Sequence, residues 1–298
     1  MDNLSNGLVP VVVTTFIILL FILIIGLVDK ILRHEALEVY KESLKNFRVV
    51  RVFKMDLVHT SIYSLSLSLI RFNILFYLII KTIGNMLYGS DVLLFELNYI
   101  ISFIVVFEFL FFLKTKKRNE INELSTLPLV IIIMLTLIGI AKMSTNLIIE
   151  RPIFWLMDGG YFSNWTILEY PLLLIPMFYI LISLYARIIK SSVALKYNTL
   201  DRFFDYLSNN LLYIYLACFF LRSVMGGVID IRISSSSETI LVESLISILI
   251  KFSLITLVTR LLIRFLPSVI DLRGKNLVPL SIVIILNITL VYLAKGVM

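Results

Sequence analysis

The chain has 298 residues, 59% of them hydrophobic, with a mean hydropathy of +0.99; this apolar share is far above that of a soluble domain and excludes both a soluble globular enzyme and a disordered chain. The formal net charge of +7 does not indicate a nucleic-acid partner, because the basic residues are spread over connections rather than gathered in a patch interleaved with aromatics. One cysteine, Cys218, leaves no disulfide framework, zinc site or four-cysteine cluster, so any redox centre belongs to a partner.

A hydrocarbon core of about 30 Å needs about 20 apolar residues per helix. Eight runs meet that length, at roughly 8–28, 61–84, 92–113, 126–146, 165–186, 206–228, 239–263 and 277–294. Backbone facing lipid must satisfy its own hydrogen bonds, so these are helices, and the alternation of an outer-membrane barrel is absent. The expected fold is an all-α polytopic membrane protein, a single integral membrane domain over 1–298. No Lys or Arg precedes the first run, and no small-residue cleavage site follows it, so it is expected to remain as helix one.

The first connection, 29–60, carries Lys30, Arg33, Lys41, Lys45, Arg48, Arg51 and Lys54. Within it Leu32, Leu37, Tyr40, Leu44 and Phe47 recur at roughly helical spacing, with Glu35, Glu38 and Glu42 among the charges on the other face. That reads as an amphipathic helix on the membrane surface, packed on the bundle or in the headgroups, or serving as a docking platform. Lys114, Lys116, Lys117 and Arg118 fill the next connection on the same side. Arg187, Lys190, Lys196 and Arg202 follow in 187–205, and Arg264, Arg273 and Lys275 in 264–276. The opposite connections hold only Arg151 and Arg232. By the positive-inside rule the first set is cytoplasmic and both termini lie outside, in a cell (cytoplasmic) membrane. Trp155, Tyr161 and Trp165 read as interfacial anchors, and ISSSSE at 233–238 as an outer turn that caps helix seven.

Ionisable residues inside spans each cost about 2.5–3.5 kcal/mol near the bilayer centre, so they mark candidate function. Arg71 lies mid-span in SLSLIRFNILFYL, too deep to snorkel, and is expected to face a carboxylate or a wet cavity. Glu108, Arg222, Glu243 and Lys251 are further ion-coupling candidates; for Glu108 and Lys81, nearer span ends, snorkelling competes. No G-x-x-x-x-G-K-[ST], G-x-G-x-x-G or G-x-S-x-G occurs, and His34 and His59 are too far apart for helical zinc spacing. Catalysis by this chain alone is not expected, and no metal is assigned.

The order of segments resembles the eight-helix membrane subunit of respiratory complex I, known as NADH dehydrogenase subunit 1, and its relatives in membrane-bound hydrogenases. The stretch KYNTLDRFFDYLSNNLLYIYLACFFLRSVMGG at 196–227 is similar to the family's E-Y-S-G segment and helix six, matched at Tyr197, Gly226 and Gly227. RLLIRFLPSVIDLRGKNLVPLSIVIILN resembles the sequence before the family's last helix, matched at Arg264, Pro267, Asp271, Arg273, Pro279 and Ser281. INELSTLPLVI is similar to the S-Y-E-x-P segment that opens helix four, placing Glu123 on the family's glutamate.

The resemblance implies a membrane-anchoring, ion-coupling subunit of a redox complex, with no cofactor of its own. Iron–sulfur or nickel–iron centres would sit in soluble partner subunits on the cytoplasmic side, beside antiporter-like membrane subunits. Arg187, Lys190, Lys196, Tyr197, Arg202, Arg264, Asp271 and Arg273 become candidates for partner docking or a quinone cavity. Departures matter here: SLYARIIKSSVALKY keeps Arg187 but lacks the family's Pro-Phe-Asp and its carboxylates. A proton relay needs titratable groups within hydrogen-bond reach, which puts quinone-coupled proton entry in doubt and leaves docking of an acidic redox arm on a basic face. A secondary transporter stays open, since Pro171 and Pro176 could break helix five near Glu169; a membrane-embedded lipid enzyme is the third class.

Overall fold

The computed structural model describes residues 2–32, 62–88, 174–194, 200–224 and 237–265. They form five helices: α1 (Asp2–Leu32), α2 (Ile62–Tyr88), α3 (Leu174–Ala194), α4 (Leu200–Val224) and α5 (Ser237–Phe265). Among the described residues there is no strand. Three of the helices carry stretches long and apolar enough to cross a membrane: Val12–Asp29 in α1, Ile62–Ile80 in α2 and Leu245–Phe265 in α5. The expected spans at 92–113, 126–146 and 277–294, and the surface helix of 29–60, lie outside the described residues.

The helix directions follow from side-chain pairs. Phe21 stacks on Phe252 and Asp29 pairs with Arg260, so α1 and α5 run parallel. Ser64 meets Asp201 and Ser68 meets Asp205, so α2 and α4 are parallel too. Tyr206 lies within electrostatic reach of Asp29, at the level of Arg260, whereas Tyr213 meets Phe252 and Thr256; α4 therefore runs against α5. Tyr185 of α3 packs edge-on against Tyr213. Were α3 parallel to α4, its last residue would stand about 33 Å along the bundle from the first of α4, beyond the roughly 20 Å that the connection 195–199 can span. It is antiparallel.

Burial divides the helices into two kinds. In α3 every residue from 179 to 188 is buried, and in α4 every residue from 208 to 221. Of these two, α4 packs most extensively on α2, and α3 on α4 and then α5. By contrast α1 exposes Val12, Phe16, Leu19 and Leu23, and α5 exposes Ile246, Ile250 and Leu254, each stripe three to four residues apart. The buried faces carry Thr14, Ser64, Ser68, Arg71, Lys251, Thr256 and Thr259 beside the apolar core. Large apolar residues outside, with polar ones set among the apolar core inside, suit a hydrocarbon surround.

Packing between helices is largely aromatic. Tyr185, Tyr213, Phe252 and Phe21 form a row from α3 through α4 and α5 to α1, the Phe21 and Phe252 centroids 4.1 Å apart. Offset stacks and edge-on contacts suit the ring quadrupoles. The Tyr185 hydroxyl also donates to the Ile25 carbonyl, tying α3 to α1.

The helices reach beyond the apolar runs that announced them, most consequentially at two ends. The helix expected to end at 186 continues to Ala194, and the one expected to start at 206 begins at Leu200. The connection expected over 187–205 is thus mostly helical. The reason is that Arg187 and Asp201 are buried in the bundle, where a helix needs no apolar side chain to stay inside. Pro176 sits in the first turn of α3, where its missing N–H costs nothing, so this proline does not break the helix; Pro171 lies outside the described residues.

Candidate functional site

The most chemically distinctive part of the bundle is the contact between α2 and α4. On α2, Ser64, Ser68 and Arg71 recur at i, i+4 and i+7, the spacing of one helix face. Small serines let two helices approach closely within a membrane. On α4, Asp201 and Asp205 stand one turn apart, followed by Ser208 and Asn209. Because the helices run parallel, the two rows meet rung by rung.

Ser64 Oγ donates to Asp201 Oδ2 at 2.7 Å, and Ser68 Oγ to Asp205 Oδ1 at 3.0 Å. Ser68 Oγ also lies 2.8 Å from the Ser64 carbonyl, so its single proton has two acceptors. Asp201 accepts the Arg202 N–H on its other oxygen at 3.0 Å and lies in the first turn of α4, where the helix dipole favours a negative charge. A carboxylate only 1% exposed is thereby held by a hydroxyl and an amide; charge-assisted bonds of this kind are among the stronger ones. Asp205 is half-buried.

Two of the basic side chains expected inside the spans, Arg71 and Lys251, are inside the bundle. Arg71 is 2% exposed and Lys251 7%, on α2 and α5. Arg187 on α3 is also buried, whereas Arg202 is half-buried and Arg264 exposed. Arg222, Glu243 and Lys190 lie on α4, α5 and α3. Glu108, Glu123, Lys196, Tyr197, Asp271 and Arg273 lie outside the described residues.

A second charged contact joins α1 to α5, where Arg260 Nε donates to Asp29 Oδ1 at 2.9 Å. By its place in the sequence Asp29 falls in the first connection rather than in a helix. Asp201 and Asp205 escape a reading by hydropathy as well, since LDRFFD resembles part of a polar connection. Their signal is the i, i+4 spacing of the two aspartates, which repeats that of Ser64 and Ser68 in SLSLSLIR. Among the described residues no group of three or more His, Cys, Asp or Glu side chains is placed to hold a metal ion.

What the arrangement offers chemically is hydrogen-bonded carboxylates at the contact of two helices. It offers two carboxylates bridged by hydroxyls, with three buried cations on the surrounding helices. It has no nucleophile–base pair among the described contacts. Compared with known proteins, the chain matches no family model, no curated protein and no solved structure.

Proposed function

We propose that the chain is an eight-helix subunit of a cytoplasmic membrane, with both termini outside, that anchors a soluble redox arm of complex-I or membrane-bound-hydrogenase type and couples it to ion movement. The observation that carries the reading is the charged interior: Arg71, Arg187 and Lys251 buried with Asp201 in a bundle whose outer faces are apolar. Each such group is expensive in hydrocarbon and persists where it has a task or a partner.

Two further points support it. The alternating directions of α1 to α5 agree with the orientation drawn from the basic connections, which would place the Asp29–Arg260 and Ser64–Asp201 contacts at the cytoplasmic end. The carboxylates that the resemblance lacked after helix five have counterparts of the same chemistry in Asp201 and Asp205, a short distance further along the chain. The basic cytoplasmic face would steer and orient an acidic partner.

The test is to tag the chain in its native host, solubilise membranes gently, and identify co-purifying proteins by mass spectrometry together with iron and nickel content. Stoichiometric iron–sulfur or hydrogenase-like subunits with antiporter-like proteins are expected. A lone, metal-free chain refutes the reading and directs attention to solute uptake in vesicles.

A further inference from the structure

Where α4 meets α5, beside the aromatic row, the two helices bring several oxygen atoms to one level. On α4, Tyr206, Asn210 and Tyr213 recur at i, i+4 and i+7, the spacing of one helix face. The Tyr213 hydroxyl donates to Thr256 Oγ1 of α5 at 3.4 Å, and Thr259 lies within its reach as well. Long side chains in a helix lean back over the preceding turn, which for Tyr213 is the turn that holds Asn210. Because α4 runs against α5, three residues back from Tyr213 and three forward from Thr256 both cover about 4.5 Å in the same direction. Asn210 therefore stands level with Thr259.

Two of these oxygens are left over. Asn210 and Thr259 are both wholly buried, and neither Asn210 Oδ1 nor Thr259 Oγ1 has a hydrogen-bond partner. Turning the Asn210 amide would not help, since it would set the oxygen against the Tyr206 carbonyl, to which Nδ2 now donates at 2.8 Å. A buried acceptor without a donor is costly, and Asn210 and Thr259 make no direct bond that would relieve it. What satisfies both is a small molecule that donates and accepts hydrogen bonds. A cation suits the place less well: the oxygens here are neutral, and Asp29, at this end of the bundle, already holds the Arg260 guanidinium.

We propose that α4 and α5 bind an internal water molecule between Asn210 and Thr259. The Thr259 hydroxyl donates to it; the water donates to Asn210 Oδ1 and to the Tyr213 oxygen, and Tyr213 keeps its own proton on Thr256. A buried water typically makes about three hydrogen bonds to polar groups left unmet by the protein, and this set supplies three. The site lies between the aromatic row and the Asp29–Arg260 pair, so a mobile hydrogen-bonding molecule joins two helices deep in the bundle.

This inference goes beyond the function proposed above and does not rest on it, and its test needs no partner protein. The full chain in liposomes is exposed to a short X-ray pulse, and oxidation by hydroxyl radicals is read residue by residue by mass spectrometry, each rate divided by that of the free amino acid. Radicals born from a bound water attack the side chains that touch it. Tyr213 and Phe220 are both wholly buried, so without a bound water they should react alike. Tyr213 is expected to be oxidised several times faster than Phe220, and to stay so when a bulky water-soluble scavenger is added. In the double variant Asn210→Leu, Thr259→Val the excess should be lost. Equal rates for the two residues in the wild type overturn the proposal, as does an excess that the scavenger removes, which would mean bulk water. An excess that the double variant keeps in full overturns it too. If the double variant does not fold, Thr259→Val alone decides: it should lower the Tyr213 excess, and an unchanged excess overturns the proposal.

Discussion

Replacing Ser64 by Ala removes the hydroxyl that lies 2.7 Å from Asp201 Oδ2. The carboxylate it leaves is 1% exposed, so water cannot replace the lost donor without opening the α2–α4 contact. Hydrogen bonds to charged groups contribute about 1.5–3 kcal/mol, which sets the cost of the single substitution. Asp201 meets more than Ser64, so its own replacement by Asn measures several contacts at once. A double-mutant cycle of Ser64→Ala with Asp201→Asn isolates the pair. Membrane proteins give about 0.6 kcal/mol on average and up to about 1.7 in such cycles, because the unfolded chain in a membrane also finds partners. The buried, short contact here should fall in the upper part of that range. The Ser68→Ala and Asp205→Asn cycle should fall below about 0.6 kcal/mol, since Asp205 is half-buried and the Ser68 proton has the Ser64 carbonyl as an alternative acceptor. The assay is reversible unfolding in mixed detergent micelles. A coupling of zero for Ser64–Asp201, or a larger one for Ser68–Asp205, would refute the reasoning.

Other perturbations have defined outcomes. Asp29 and Arg260 are 25% and 13% exposed, so their cycle should give about 0.5–1 kcal/mol and weaken with salt; exchanging the two residues should restore most of the loss seen in either charge reversal, as read by unfolding at two ionic strengths. Phe252→Ala removes a ring wholly buried between Phe21 and Tyr213 and should cost about 3 kcal/mol. Tyr213→Phe should cost less than about 1 kcal/mol, because its contact with Thr256 is long, at 3.4 Å; equal losses for the two would contradict the packing described. Ile250→Lys, on the exposed stripe of α5, should impair membrane insertion by about 2.5–3.5 kcal/mol, whereas a surface position facing water would tolerate it within about 0.5 kcal/mol.

The helices that face outward are the ones most legible in the sequence. In α1, α2 and α5 a long, mostly apolar run is itself the signal, even where Ser64, Ser66, Ser68, Arg71 and Asn73 interrupt it in α2. The inner helices are harder to delimit. α3 and α4 are enclosed, so Arg187, Asp201, Asn209 and Asn210 sit in them at no cost in lipid contact, and a rule built on lipid exposure stops the helix too early. The depth of Arg71 and Lys251 can be read from their neighbours, but their surroundings cannot, since the matching faces come from other helices, α4 for the α2 seam lying more than a hundred residues away in the chain. Asp205 is hidden for the same reason: its i, i+4 spacing from Asp201 gains meaning only through the parallel register of α2 and α4.

A bundle that is apolar outside and charged inside underlies every assignment above. Spin labels placed on single cysteines in a Cys218→Ala background, at Leu19, Ile250 and Leu254 on the outer stripes and at Thr256 and Ser208 within, test this in liposomes through collision with oxygen and with a water-soluble nickel complex. The outer labels should collide with oxygen and not with the nickel complex, and the inner ones should be immobile and shielded from both. Outer labels open to the nickel complex would place those faces in water and contradict the account.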